Sequence, residues 1–279
     1  KMSSNTEHLY NANASYWELY ARQPERYFCE HYTIFKTLTA KSSNPGSLSG
    51  MRLLDLGCGN GDISIESLKR GADYVVGIDF AENQVNRATE IAREEGFPEE
   101  KFSFLKANVF QPESVHEVLP ISIHGGTFDV VYLVWILDYS QSCEDYRRLV
   151  ELGSSYLKPG GTLMIMECNF ALITHTEEVN KKSVFGTWYD SNPTQFGDHW
   201  QIDNTYLNPQ THEPSFTEKL NVFTKEQCQA AIESAGLVLE SCGPLELDPK
   251  HRDLGYQESD FYCLTDEISG SYFYKGVKI

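Results

Sequence analysis

Three glycines spaced two apart, Gly57, Gly59 and Gly61, follow directly on the apolar run Leu53-Leu54-Asp55-Leu56, and acids stand on either side of them at Asp55 and Asp62. Glycines at that spacing let a strand-to-helix turn take positive φ and leave no Cβ between the main-chain N–H groups and a bulky ligand. A dinucleotide loop of the G-x-G-x-x-G kind cradles a pyrophosphate at a helix N-terminus. Two carboxylates bracketing the present loop repel a pyrophosphate and suit a ligand that carries positive charge. Asp79 ends a second apolar run, Tyr74-Val75-Val76-Gly77-Ile78, and lies roughly 20 residues beyond the loop. In a βαβ unit that distance brings an acid to the carboxyl end of the neighbouring strand, where it accepts hydrogen bonds from a ribose diol. The same residue can also cap a helix starting near Glu82. Phe80 is then placed to pack on a nucleobase.

The stretch Leu54-Asp55-Leu56-Gly57-Cys58-Gly59-Asn60-Gly61 resembles the first motif of class I S-adenosylmethionine-dependent methyltransferases, LDLGCGxG. The resemblance implies S-adenosylmethionine as cofactor, with its ammonium and sulfonium, held by Asp55, Gly57, Cys58, Gly59, Asp79 and Phe80, with Tyr20 reaching it from the N-terminal segment. Phe102 to Val109 is similar to a further strand of the family. Asn108 stands where the family commonly has an Asp that contacts the adenine amino group; its side-chain oxygen accepts the same bond, with Val109 beside it. Phe128 to Trp135 resembles the fourth strand, whose end, Val134 and Trp135, faces the methionine part. Leu157-Lys158-Pro159-Gly160-Gly161-Thr162-Leu163 resembles the family's LKPGG turn, in which a proline and two glycines stop a helix and reverse the chain.

These segments need a scaffold, and periodicity supplies one. Ile65, Leu68 and Ala72 mark one helix face ending at Gly71, and Ala81, Val85, Ala88 and Ala92 a second, stopped by Gly96 and Pro98. Residues 144–157 form a third helix. Thr224 to Gln227 reads as a capping box before a fourth, with Gly236 as its C′ residue. Strands alternating with helices predict an α/β fold: a doubly wound, seven-stranded, mostly parallel sheet with the ligand at the carboxyl ends of its strands. Leu237–Cys242 and Tyr272–Lys278 supply its last two strands as an antiparallel pair. The chain then divides into an N-terminal helical cap over the cofactor (1–50), a cofactor-binding core (51–169), an inserted substrate lid (170–222) and the C-terminal part of the same core (223–279). Both additions are rich in aromatics, and a loop-like segment of such length is usually functional. Tyr10, Trp135, Tyr139, Trp188 and Trp200 are the candidates for walling a pocket for a planar or apolar small molecule; the alternative is a small β appendage with its own mini-core.

The order Tyr10, Ala14, Tyr20 and Glu25-Arg26-Tyr27 resembles the toxoflavin-synthase-like branch of small-molecule methyltransferases, as do Leu137-Asp138-Tyr139-Ser140 and the aromatic C-terminal tail. That resemblance implies methyl transfer to nitrogen or oxygen of a small, secondary-metabolite acceptor; a protein methyltransferase or a non-methylating S-adenosylmethionine-binding protein is the alternative. A net charge of −17 over 279 residues argues against a nucleic-acid partner. No apolar run long enough for a membrane span and no signal-peptide core is present, and the seven scattered cysteines show no C-x-x-C pair. A cytoplasmic monomer or homodimer without a metal is the expectation. Methyl transfer is an in-line displacement in which the nucleophile must sit about 3–3.5 Å from the methyl carbon. A base is needed only when the nucleophile arrives protonated. The candidates for that end of the reaction are His199, Glu167 and Asn169, with Asp138 and His175 as further possible bases.

Overall fold

A computed structural model describes residues 20, 23–182, 187–190, 192–208, 211, 213–266 and 268–279, and all structural statements refer to these. Seven strands form the central sheet: β1 (Arg52–Leu56), β2 (Tyr74–Asp79), β3 (Phe102–Lys106), β4 (Phe128–Val134), β5 (Leu157–Cys168), β10 (Leu237–Gly243) and β11 (Ser271–Lys278). Their order is β10-β11-β5-β4-β1-β2-β3. Neighbours from β3 through β5 are parallel, whereas β11 runs antiparallel to both β5 and β10.

Side chains alternate across a strand, so consecutive apolar residues serve opposite faces of a sheet covered on both sides. Leu54, Val76, Val131 and Ile165 pack on one face against α4 (Pro112–Val118), α5 (Cys143–Tyr156) and α7 (Lys225–Ser234). Their chain neighbours Leu53, Val75, Val130 and Met164 pack on the other against α1 (Tyr32–Thr39), α2 (Asp62–Lys69) and α3 (Glu82–Glu94). The capping box predicted at Thr224 is present, with its side chain accepting from Gln227 N and the Gln227 side chain accepting from Thr224 N. Gly236 takes φ 72 immediately beyond that helix. The Pro-Gly-Gly turn lies inside β5 rather than before it: Leu157 pairs with Phe128 and Thr162 with Val130, so Lys158 to Gly161 loop out between them.

The segment between β5 and α7 contains a separate four-stranded antiparallel sheet, with β8 (His199–Leu207) paired to β6 (Thr187–Tyr189), β7 (Thr194–Phe196) and β9 (Pro214–Val222). Ile202, Leu220, Val222 and Tyr189 join Cys168, Leu172 and Val179 in a satellite apolar cluster. Helix α6 (Thr176–Lys182) fixes β6 in place, since the Asn180 carboxamide donates to Tyr189 O at 2.6 Å and accepts from Tyr189 N at 3.0 Å. At the N-terminal side a π-helical run, Arg26–His31, leads into α1. No helix among the described residues is long and apolar enough to cross a membrane.

Candidate active site

The carboxyl ends of β1, β2, β4 and β5 and the first residue of the reversed strand β11 open onto one cavity, roofed by the π-helical run and the inserted sheet. The chain leaves β1 through Gly57, Gly59 and Gly61, with φ of 85, 53 and 82. Gly57 N and Cys58 N both donate to Ile78 O, at 2.7 and 3.0 Å, which ties the loop to β2. A Cβ on Gly57 would lie 2.7 Å from Ile136 Cγ1, and one on Gly61 2.9 Å from Ala88 Cβ, so core packing demands glycine at both. A Cβ on Gly59 would meet no protein atom within 4 Å. Gly59 lines the cavity, and what a side chain there would fill is ligand space.

Asp79 closes β2 with both oxygens engaged: Oδ2 accepts from Gly59 N and Oδ1 from Ala81 N, each at 2.9 Å. It therefore ties down the backbone just ahead of α3 and also braces the glycine loop. Burial raises its carboxyl to about 6 against the lowering effect of the N–H bonds from Ala81, Gly59 and Phe80. Asp55 accepts from Ser64 Oγ at 2.7 Å, and burial raises it to about 7.

The N-terminal segment supplies the cation. The Arg26 guanidinium donates to Asp62 Oδ2 from both Nε (3.2 Å) and Nη2 (2.8 Å), and to Glu30. His31 Nε2 also reaches Asp62, at 3.1 Å. Burial alone would raise the Asp62 carboxyl, but His31 and Arg26 outweigh it and hold it well below the usual range. Glu30 in turn accepts the indole N–H of Trp135 at 2.7 Å. Trp135, at the end of β4, is the one non-glycine residue with positive φ (58) among those described, a conformation that costs energy and is held by its surroundings.

The far wall comes from β4, β5 and the inserted sheet. Along β8, Asn204 and Tyr206 face inward, opposite Glu218 and Phe216 of β9. The hydroxyls of Tyr139 and Tyr206 both donate to Glu218 Oε1, at 2.9 and 2.7 Å. Tyr20 meets Tyr206 edge to face at 5.9 Å. Asp138 accepts from Cys168 N at 3.1 Å, and burial, followed by the charge of Glu167, raises its carboxyl well above the ordinary value.

Of the residues proposed from sequence, Tyr20, Asp55, Gly57, Cys58, Gly59, Asp79, Phe80, Val134, Trp135, Asp138 and Tyr139 line this cavity. Eight others do not, among them His175, whose Nδ1 lies 2.7 Å from Thr174 Oγ1. Glu167 points to the opposite sheet face, where its two oxygens accept from Tyr146 Oη at 2.8 Å and Cys228 Sγ at 2.9 Å. Asn169 turns its carboxamide oxygen to Ala171 N in the loop after β5. His199 is buried beneath Phe196 and Phe223, stacked on both, with Nδ1 3.1 Å from Asp198. Asn108 spends its oxygen on Phe110 N at 3.0 Å, and Val109 is buried in the core under β3. Trp188 is 54% exposed because it alternates with Thr187 and Tyr189, which face the cavity. Trp200 lies one strand end away from Asn204 and Tyr206, opposite Val222. Tyr10 falls outside the described residues. Arg26, Glu30, Gln84, Tyr189, Asn204 and Tyr206 are among the further lining residues that were not singled out as site residues from sequence. Period-two alternation along β8 is the signal that marks Asn204 and Tyr206.

Residues 47–233 match a family described as methyltransferase domain. The chain is 24% identical over 223 residues to the mitochondrial ubiquinone biosynthesis O-methyltransferase of Dictyostelium discoideum, covering 71% of this chain and 65% of that one. It is 29% identical over 129 residues to the probable protein arginine N-methyltransferase 3 of Oryza sativa subsp. japonica, covering 43% and 21%. It thus spans less than two thirds of the length of either relative. Among solved structures, an S-adenosylmethionine-dependent methyltransferase from Clostridium acetobutylicum superposes with a TM-score of 0.61 at 12% identity, covering 97% of this chain and 99% of that one. The S-adenosylmethionine-bound magnesium protoporphyrin IX methyltransferase of Synechocystis PCC 6803 gives 0.53 at 14% identity, covering 90% and 78%. At these identities the likeness to the solved structures is one of fold. With two thirds of its length matched by the family and the glycine loop at the expected strand end, the chain belongs to the S-adenosylmethionine-dependent methyltransferases.

Proposed function

We propose that the protein transfers a methyl group from S-adenosylmethionine to a nitrogen or oxygen of a small acceptor. One observation carries this: a single cavity runs from the glycine loop to the tyrosine wall of the inserted sheet. The donor set fits the cofactor. Among the described residues the lining holds five carboxylates, of Glu30, Asp55, Asp62, Asp79 and Asp138, and one cation, Arg26. S-adenosylmethionine brings two positive groups, a ribose diol and one carboxylate, the complement of that set. Arg26 is the group to receive the carboxylate, Asp55 the ammonium side, and Asp79 the diol, with the backbone at Gly57 and Gly59 admitting the nucleoside.

Bound there, the cofactor supplies a methyl carbon activated by its sulfonium. The chain then has to hold the acceptor atom in line with that carbon and keep water out. Tyr20, Trp135, Tyr139, Tyr189 and Tyr206 line the cavity and give the acceptor an apolar bed with polar edges. Asp138 is the acid of that part of the lining, tied to the Cys168 backbone N–H, with burial raising its carboxyl well above the ordinary value. His199, Glu167 and Asn169 have no place in this scheme, because none reaches the cavity. Kinship with the toxoflavin-synthase-like branch and a secondary-metabolite acceptor belong to the same proposal, supported by Asp138 and Tyr139 lying in the lining. The absence of a disulfide at any of the seven cysteines, five of them buried, supports a reducing, cytoplasmic setting.

Calorimetric titration with S-adenosylmethionine, with NAD and ATP as controls, tests this function. Saturable binding of S-adenosylmethionine alone is expected; tighter binding of NAD would refute it.

A further inference from the structure

We propose that Asn204 reads the methyl acceptor, and that the edge it reads is an amide, an N–H beside a C=O as in a lactam or a carboxamide. This rests on the methyltransferase function argued above and names a chemical feature of the acceptor for the same cavity. Asn204 lines the cavity from β8 and is 2% exposed. Its Oδ1 is buried without a hydrogen-bond partner, and among the described residues its Nδ2 donates to no other group. Leaving a buried polar group unpaired is costly, which is why such groups are nearly always hydrogen-bonded. The partner for this carboxamide has to come from what fills the cavity.

The inserted sheet holds the side chain in place. Asn204 stands between Tyr189 of β6 and Glu218 of β9, its direct partners across the two ladders, and period-two alternation puts Ile202 and Tyr206 on the same face. Glu218 does not relieve it: its Oε1 accepts from Tyr139 and Tyr206, and its Oε2 has no hydrogen-bond partner. Tyr189, Tyr206 and Leu220 line the cavity around Asn204, an apolar and aromatic setting that suits a flat ring. A carboxamide accepts at its oxygen and donates at its nitrogen. The group that completes both ends has a donor and an acceptor side by side, the pairing by which Asn and Gln read an adenine edge. An ammonium only donates and a carboxylate only accepts, so each leaves one end of Asn204 unpaired. The amide edge is the handle that orients the acceptor; the nitrogen or oxygen that takes the methyl group is a different atom of it.

The test titrates the full chain, saturated with S-adenosylhomocysteine, by calorimetry at pH 8. Burial raises Glu218 to about 7, so at that pH it has no proton to give Asn204. The probes are 2-quinolone, with N–H and C=O adjacent, 1-methyl-2-quinolone, which only accepts, and indole, which only donates. The first is expected to bind at least about fivefold tighter than either of the others, because an analogue that leaves a buried polar group unpaired is rejected. Asn204→Leu should bring both preferences below about twofold. Should that variant not fold, Asn204→Asp, which keeps accepting oxygens and loses the N–H donor, should lose the preference over indole. A smaller preference in the wild-type protein, including no binding by any of the three, overturns the amide assignment while leaving the cofactor site standing. A preference that survives the substitution shows that the edge is read elsewhere and overturns the role of Asn204. Failure of S-adenosylhomocysteine itself to bind overturns the methyltransferase function and this inference with it.

Discussion

The indole nitrogen of Trp135 donates to Glu30 at 2.7 Å, joining the end of the fourth core strand to the N-terminal helix across more than a hundred residues of sequence. The same Glu30 holds Arg26, so one carboxylate links the strained tryptophan to the cavity's cation.

Removing that bond while keeping the ring tests how much the roof depends on it. Trp135→Phe leaves Glu30 one donor short in a buried setting, and a hydrogen bond to a charged group is worth about 1.5–3 kcal/mol. The variant should unfold at lower urea with an unchanged slope. An unaltered midpoint would mean the N-terminal helix is held by its packing alone.

Gly57 and Gly59 share positive φ but differ in what surrounds them, and that difference predicts opposite phenotypes. Gly57→Ala drives a methyl into Ile136 and should cost stability beyond the about 1–2 kcal/mol of a left-handed residue. Gly59→Val carries only the backbone cost in the free protein but fills the cavity, so it should fold and fail to bind S-adenosylmethionine. Thermal unfolding and calorimetry on the two variants separate these outcomes; tight binding by Gly59→Val would remove the loop from the site.

The glycine loop, the acid after β2 and the order of the core elements were legible because each is local: strand, turn and helix signals lie within a few residues of one another. The aromatic richness of 170–222 marked the inserted segment, but which aromatics face inward depends on register. Trp188 and Tyr189 are neighbours of equal appeal in sequence, and a one-residue alternation sends one to solvent and the other to the cavity. Glu167 was attractive because it ends a strand near the reacting centre. Parity places it on the helix-covered face, bonded to Tyr146, while Met166 and Cys168 take the other side. The Arg26 network with Asp62, Glu30 and Trp135 joins three distant segments and has no local signature.

Acid–base behaviour follows from the buried carboxylates. Burial raises Asp79 to about 6 and Asp55, Glu167 and Glu218 to about 7, from ordinary values near 4. The folded state therefore holds these protons more tightly than the unfolded chain. The stability this confers is complete below about pH 4 and is lost as pH rises through 6 to 7. Asp62 works in the opposite sense, but its folded value lies below this window and its contribution is constant across it. The ligand-free protein should thus have a higher urea midpoint at pH 5.5 than at pH 8. A positively charged ligand beside Asp55 and Asp79 lowers both, so binding S-adenosylmethionine near pH 6.5 should release protons. Calorimetry in two buffers of different ionisation enthalpy measures that release, and proton uptake would contradict the placement.

Arg26 makes the most discriminating target, since it is the one cation among the described residues that line the cavity. If it receives the cofactor's carboxylate, the protein should bind S-adenosylmethionine at least tenfold tighter than its decarboxylated analogue, a charge-assisted pair being worth about 1.5–3 kcal/mol. Arg26→Gln should bring the two affinities together. The substitution also leaves Asp62 and Glu30 buried without their partner, which costs about 3–5 kcal/mol where a buried pair is broken, so loss of affinity alone could reflect a damaged roof. The ratio of the two ligands is free of that ambiguity, because both require the same roof and differ only in the carboxylate. Arg26→Lys keeps the charge but loses the two-pronged contact to Asp62 and should retain an intermediate ratio. Equal affinities of wild-type protein for the two ligands would show that the carboxylate is bound elsewhere and that Arg26 serves only to bind Asp62 to Glu30.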